Sequence, residues 1–157
     1  MKSSLLTVGK TELKWVKEGL EVYRSRLIHY VPFSVKEIPE LKNVSAFSKD
    51  QIKEKEADLI LAELKPSDDV VLLDERGKEY RSVEFASIIQ DKMSHSGKDI
   101  VFVIGGAYGF SQRVYDRSNG KMSLSRMTFS HQMVRTVFVE QLYRAFTIIR
   151  GEPYHHE

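Results

Sequence analysis

The sequence predicts an α/β protein, a mostly parallel sheet flanked by helices. Two observations carry this. Short apolar runs alternate with longer amphipathic stretches along nearly the whole chain, the pattern of strands joined by crossover helices. Two of those runs, DVVLLD (69–74) and DIVFVIGG (99–106), are apolar at successive positions, as strands covered on both faces are.

The elements follow in order. SSLLTV (3–8) reads as a first strand. Leu13, Val16, Leu20, Tyr23 and Leu27 recur at helical spacing over 11–29. PFSVKEI (32–38) alternates Phe33 and Val35 inward and reads as a second strand. Ser48 opens the next helix, and Gln51 three residues later completes a capping-box pattern. Ile52, Leu59, Ile60 and Leu64 supply its apolar stripe, and Pro66 ends it. DVVLLD is the third strand, and ERGK (75–78) is expected to turn the chain after it. Val83, Phe85, Ala86, Ile88, Ile89 and Met93 mark a third amphipathic helix, and DIVFVIGG a fourth strand. A small polar helix is expected around SQRVYDRS, then a short strand in KMSLSRMTF. Ser130 caps a last helix over 131–149, stopped by Gly151 and Pro153.

That last helix is apolar nearly all round. Val134, Val137, Phe138, Leu142, Ala145, Phe146 and Ile149 form one stripe, and Met133, Val139, Tyr143 and Ile148 widen it. A surface helix needs one apolar face. Two predict burial on two sides, against its own sheet and against a second subunit, the other reading being a helix at the centre of the core.

The 157 residues fit a single domain, 1–157, with one core. No apolar run is long enough to cross a bilayer, and LLTV near the start is too short for a signal peptide. Zero cysteines exclude disulfides and thiolate metal sites, and a cytoplasmic protein is expected. Net charge is only +2, but it is uneven. Residues 1–110 hold 17 Lys/Arg against 18 Asp/Glu, and residues 111–157 hold seven against four. An arginine-rich final third suits contact with phosphate or carboxylate.

In parallel sheets, ligands bind beyond the carboxyl ends of the strands. Three such ends stand out: Leu73-Asp74, the Gly105-Gly106 loop of IGGAYGF, and LSRMTF (124–129) before the capped helix. The glycine loop follows a late strand and reads GGxxG, so it is no dinucleotide fingerprint. Phe110 after Gly109 excludes a P-loop. His155 and His156 are adjacent, and no HxxxH or HExxH spacing exists, so no metal site is expected. No GxSxG elbow is present. A pocket lined by backbone remains, near arginines, histidines and a tyrosine.

The segments IGGAYGF, SLSRMTFSHQMVRTVFVEQLYRAF and the terminal PYHHE resemble the RlmH (YbeA) family of SPOUT-class methyltransferases. So do TVGK…WVKEGLEVYRSRL near the start and LLDERGK in the middle, and the resemblance covers essentially the whole chain. It implies S-adenosyl-L-methionine as methyl donor, with no metal. It implies as substrate N3 of a pseudouridine in helix 69 of 23S rRNA in the assembled ribosome. It further implies a homodimer and a trefoil knot in the C-terminal segment. Residue by residue, Leu73, Gly105 and the loop Leu124, Ser125, Arg126, Met127, Thr128 and Phe129 match the cofactor-binding positions. His155, as proton acceptor for N3, with Tyr154 and Arg135 beside it, make up the expected catalytic set. His156 stands where family members often carry Arg or Lys. Two alternatives stay open: a non-catalytic ribosome- or RNA-binding protein of the same fold, and a methyltransferase for another RNA.

Overall fold

The computed structural model describes residues 1–156. Its strands are β1 (Ser3–Val8), β2 (Phe33–Ile38), β3 (Asp69–Glu79), β4 (Ile100–Ile104) and β5 (Gly120–Ser123). Its helices are α1 (Lys14–Leu27), α2 (Lys49–Ala62), α3 (Ser82–His95), α4 (Gln112–Arg117) and α5 (Met133–Ile149). The strands form one sheet in the order β2-β1-β4-β3-β5, and every neighbouring pair is parallel. The α/β class and the parallel sheet expected from the sequence are what the chain adopts.

Side chains along a strand alternate between its two faces. Ile100, Phe102 and Ile104 of β4 join Leu5, Val71, Leu20 of α1, Phe85 of α3 and Phe138 of α5 in one core. Val101 and Val103 join Leu6, Val70, Leu72, Ile60 of α2 and Val114 of α4 in the other. Helices α1, α3 and α5 therefore cover one face, and α2 and α4 the other. Every residue of α5 is at least half-buried in the single chain, which fits its nearly continuous apolar surface. Among the described residues no helix is long and apolar enough to cross a membrane.

Local chemistry sets the ends. Ser48 and Gln51 form the reciprocal capping box at the start of α2. Ser130 Oγ accepts the Gln132 and Met133 amides at 3.2 and 3.3 Å, so it caps the turn that leads into α5. The ERGK segment is a correction. It does not end the strand, because β3 runs on to Glu79. Both Leu73 and Lys78 pair with Met122 of β5, so residues 74–77 are looped out as an irregular bulge between two paired stretches. A Cβ on Gly77 would lie 2.5 Å from the Met122 backbone, so only glycine lets β3 and β5 approach there.

Candidate active site

The bulge of β3 and the carboxyl end of β4 open into a cleft of about 750 Å³, within the range of small-molecule sites. Leu73 and Ile104 are register partners across β3 and β4, so Asp74 and Gly105 emerge side by side into it. The loop after β5 forms the opposite wall and leads to Ser130, His131 and Val134 at the start of α5.

Two walls are mainly backbone, for identifiable reasons. A Cβ on Gly105 would lie 2.9 Å from the Phe110 ring, and one on Gly106 would land on the Glu56 carboxylate. Both glycines are thus fixed by packing behind the loop, which leaves peptide groups facing the cleft. The loop after β5 is held by its own polar side chains. Ser123 Oγ donates to the Ser125 carbonyl at 2.7 Å, and Ser125 Oγ accepts the Met127 amide at 3.0 Å. Thr128 Oγ1 donates to Glu75 Oε2 at 2.7 Å and ties this loop to the β3 bulge.

Asp74 sits in that bulge. Its Oδ1 accepts the Arg76 amide at 2.9 Å, and its Oδ2 accepts the Tyr115 hydroxyl. Burial, then the bond to Asp74, push the Tyr115 hydroxyl up to about 12, so it remains a donor. Glu56, behind Gly106, is buried, and its Oε1 finds no partner. Burial first, then nearby Glu40, raise its pKa.

Of the expected cofactor residues, Leu73, Gly105, Leu124, Ser125 and Met127 to Phe129 all line the cleft. Arg126 does not. Its side chain is mostly exposed, with Nε 3.2 Å from Glu79.

The expected catalytic set is not brought together in one chain. Arg135 has no exposed surface. Its Nε donates to the His131 carbonyl and its NH2 to the Val8 carbonyl, both at 3.0 Å. Its NH1 donates to the Gly9 carbonyl at 3.0 Å and Thr11 Oγ1 at 2.8 Å, with Glu37 at 3.5 Å. Its donors are used inside the chain, locking the end of β1 to α5, and a phosphate has no access to them. Burial lowers its pKa, against the pull of Glu37, Glu40 and Glu12.

Tyr154 and His155 lie farther along α5. Tyr154 donates to Glu140 Oε1 at 2.9 Å and packs on Tyr143 at 4.8 Å between ring centroids. Arg144 bonds the same Glu140 oxygen at 2.6 Å, lies 4.7 Å over the Tyr154 ring and meets His155 Nδ1 at 3.1 Å. A guanidinium only donates, so Nδ1 accepts, and the neutral ring carries its proton on Nε2. Burial and the bond to Glu140 raise the Tyr154 pKa, which keeps its hydroxyl a donor. Val134, the last α5 residue at the cleft, and Arg144 are ten positions apart, about 15 Å along the axis. The tail is therefore anchored, but away from its own cleft.

Sequence reasoning missed Tyr115, Glu75 and the buried Glu56. Tyr115 lies on α4, too short a helix for periodicity to show which way it faces. Glu56 occupies a turn of α2 next to Ala57 and Ile60, where its position on the apolar stripe was the available signal.

A parallel α/β sheet with a largely backbone-walled cleft beyond its strands, followed by a capped C-terminal helix, is the framework of a small-molecule-binding α/β protein. The chain belongs to the SPOUT methyltransferase family, whose model, described as "Predicted SPOUT methyltransferase", matches residues 1–155. It is 52% identical over 157 residues to the Ribosomal RNA large subunit methyltransferase H of Parabacteroides distasonis, covering the whole of both chains. It is 55% identical to the protein of that name from Phocaeicola vulgatus, again over the whole of both. With that of Cytophaga hutchinsonii it shares 54% identity over 156 residues, 99% of this chain and 100% of that one.

Proposed function

We propose that this chain is an S-adenosyl-L-methionine-dependent methyltransferase of large-subunit ribosomal RNA. Its target is N3 of a pseudouridine in helix 69 of 23S rRNA, in the assembled ribosome. It works in the cytoplasm as a homodimer of single SPOUT domains, 1–157, each with the knotted C-terminal segment of the family. The observation that carries this reading is convergence. Leu73, Gly105 and the loop 124–129 without the Arg126 side chain, three separate segments of the sequence, meet at one cleft of the right size.

The residues present fit the donor. Apolar Leu73, Ile104 and Leu124 and the peptide groups of 105–109 and 124–129 suit an adenosyl group held mainly by main chain. When bound, S-adenosylmethionine supplies an electrophilic sulfonium methyl, so no metal is required. The chain's own work is to hold the two reactants in line and to exclude competing water.

The tail supplies the other half. The helix α5 that carries it has a half-buried outer side, with Val137, Gln141 and Ile148 among the residues there. Pairing two such helices buries that side and sets Tyr154 and His155 of the partner subunit at the cleft. Tyr154 offers a ring for stacking on a base, and His155 beside it a polar ring at the edge of the target. With Nδ1 occupied by Arg144, His155 positions the base, and the N3 proton leaves to solvent. Modest net charge, +2, suits recognition of a shaped particle over tight binding of free RNA.

The test is transfer of labelled methyl from S-adenosylmethionine to ribosomes from cells lacking the enzyme. Free 23S RNA and ribosomes lacking the pseudouridine run beside them. Label on pseudouridylated ribosomes alone is expected. Label on free RNA or on unmodified ribosomes refutes the substrate, and cofactor binding without any label points to another RNA.

A further inference from the structure

Asp74 has no part in the reading above, which it nevertheless complements. It sits in the β3 bulge beside Gly105 and lines the cleft between the glycine loop and the loop after β5. Its two oxygens each take one donor, the Arg76 amide and the Tyr115 hydroxyl. A carboxylate has about four acceptor positions, so both oxygens keep acceptor capacity. Tyr115, its hydroxyl held as a donor, requires Asp74 to stay the acceptor. Lys53 pairs with Asp50 at 3.5 Å, and among the described residues Arg76 forms no ion pair with Asp74. The neighbouring Glu75 accepts from the Thr128 hydroxyl and borders the cleft as a second carboxylate. Asp74 and Glu75 both border the cleft, and Asp74 is the one oriented there by two donors, the Arg76 amide and the half-buried Tyr115 hydroxyl.

We propose that Asp74 reads charge in this cleft: it favours the cationic sulfonium donor over the neutral thioether left after transfer. The inference rests on the methyltransferase reading. In that reaction the S–CH₃ bond breaks with its electron pair left on sulfur. The N–CH₃ bond forms, and the N3 proton goes to solvent. The sulfur changes from a cation to a neutral atom while the adenosyl group, the amine and the carboxylate are unchanged. Contacts to those unchanged parts hold donor and product equally. A fixed anion within a few ångström of the sulfur separates them, because only the donor gains the Coulomb term. Product then leaves more easily than donor, and the enzyme stays loaded with donor as product accumulates.

Calorimetric titration of the full chain with three ligands tests this. S-adenosylmethionine is the cationic donor and S-adenosylhomocysteine the neutral product. Sinefungin is a non-transferring analogue with an ammonium in place of the sulfonium methyl. Asp74→Asn keeps the shape and an acceptor for Tyr115 and removes the charge. It is expected to weaken the donor and sinefungin about tenfold and to leave the product within about twofold, the size of one screened charge pair at a solvent-open site. Equal weakening of all three ligands overturns the proposal, since Asp74 then only shapes the cleft. Unchanged affinity for the donor overturns it too. If the wild-type chain binds none of the three, the methyltransferase reading falls and takes this inference with it. If it binds all three and Asp74→Asn alters no ratio, this inference falls alone. Should circular dichroism show Asp74→Asn unfolded, Asp74→Ser removes the same charge, keeps a hydroxyl acceptor, and is judged by the same ratios.

Discussion

Replacing Arg135 with methionine separates a structural arginine from a phosphate-binding one. The side chain is wholly buried and donates to three backbone carbonyls, Val8, Gly9 and His131, and to Thr11 Oγ1. Methionine matches the aliphatic part of the side chain and offers none of these donors. The variant leaves buried acceptors unpaired and deprives Glu37 of its nearby cation, 3.5 Å away. Removing one side of a buried charged network of this kind costs about 3–5 kcal/mol. For a chain of this size each kcal/mol lowers Tm by roughly 2–4 °C, so a drop of about 6–20 °C is expected. Arg135→Lys keeps a charge but not the forked geometry, and it should fall between the two. Thermal unfolding followed by circular dichroism measures the shift, and calorimetry on the folded variant measures cofactor affinity. A Tm within about 2 °C of wild type, together with loss of methylation, would refute the packing role and return Arg135 to substrate contact.

Three further outcomes follow from the same geometry. Gly105→Val drives a branched side chain into the Phe110 ring, 2.9 Å from where even a Cβ would sit. Calorimetry should show S-adenosylmethionine binding reduced at least about tenfold, as overpacking of about 1–3 kcal/mol displaces the loop; unaltered binding counts against the cleft. Glu56→Gln should raise Tm at pH 7.5 and lose that advantage toward pH 4. The folded-state pKa of Glu56 is raised above 4.5 by burial, so its contribution to stability is full below that value and lost as pH rises through the folded pKa. A variant less stable than wild type at pH 7.5 contradicts this. Tyr154→Phe removes the bond to Glu140 while keeping the ring. It should cost about 1 kcal/mol of stability in urea titration and spare cofactor binding. If the tail acts at the partner subunit's cleft as proposed, methylation of ribosomes falls; undiminished methylation would exclude the tail from the reaction.

Much of the fold was legible because its signals are local and repeat. The successive apolar residues of β3 and β4 announce strands covered on both faces, and the spacing in α1, α3 and α5 announces their buried stripes. The capping box at Ser48 fixes the start of α2. The three segments marked from sequence meet at the cleft, though Leu73-Asp74 proves to be a bulge within β3 and not its end. What local pattern could not supply was pairing between distant segments. ERGK carries turn chemistry, yet Leu73 and Lys78 both pair with Met122, and the strand resumes beyond the bulge. Arg135 looks like a surface cation. Its true setting could have been suspected from spacing, because it lies three and seven residues before Phe138 and Leu142, both fully buried. Its partners near Gly9 are more than 120 residues away, and no local rule reaches them. Tyr115 and Asp74 are likewise joined only by the fold.

The most direct test of the central claim is the nucleoside composition of 23S rRNA from cells with and without this gene. Mass spectrometry of digested helix 69 should find a singly methylated pseudouridine in wild-type cells and none in the deletion. The wild-type gene should restore it, and a Gly105→Val copy should not. A methylated pseudouridine that persists in the deletion, or returns equally with the Gly105→Val copy, would contradict the account.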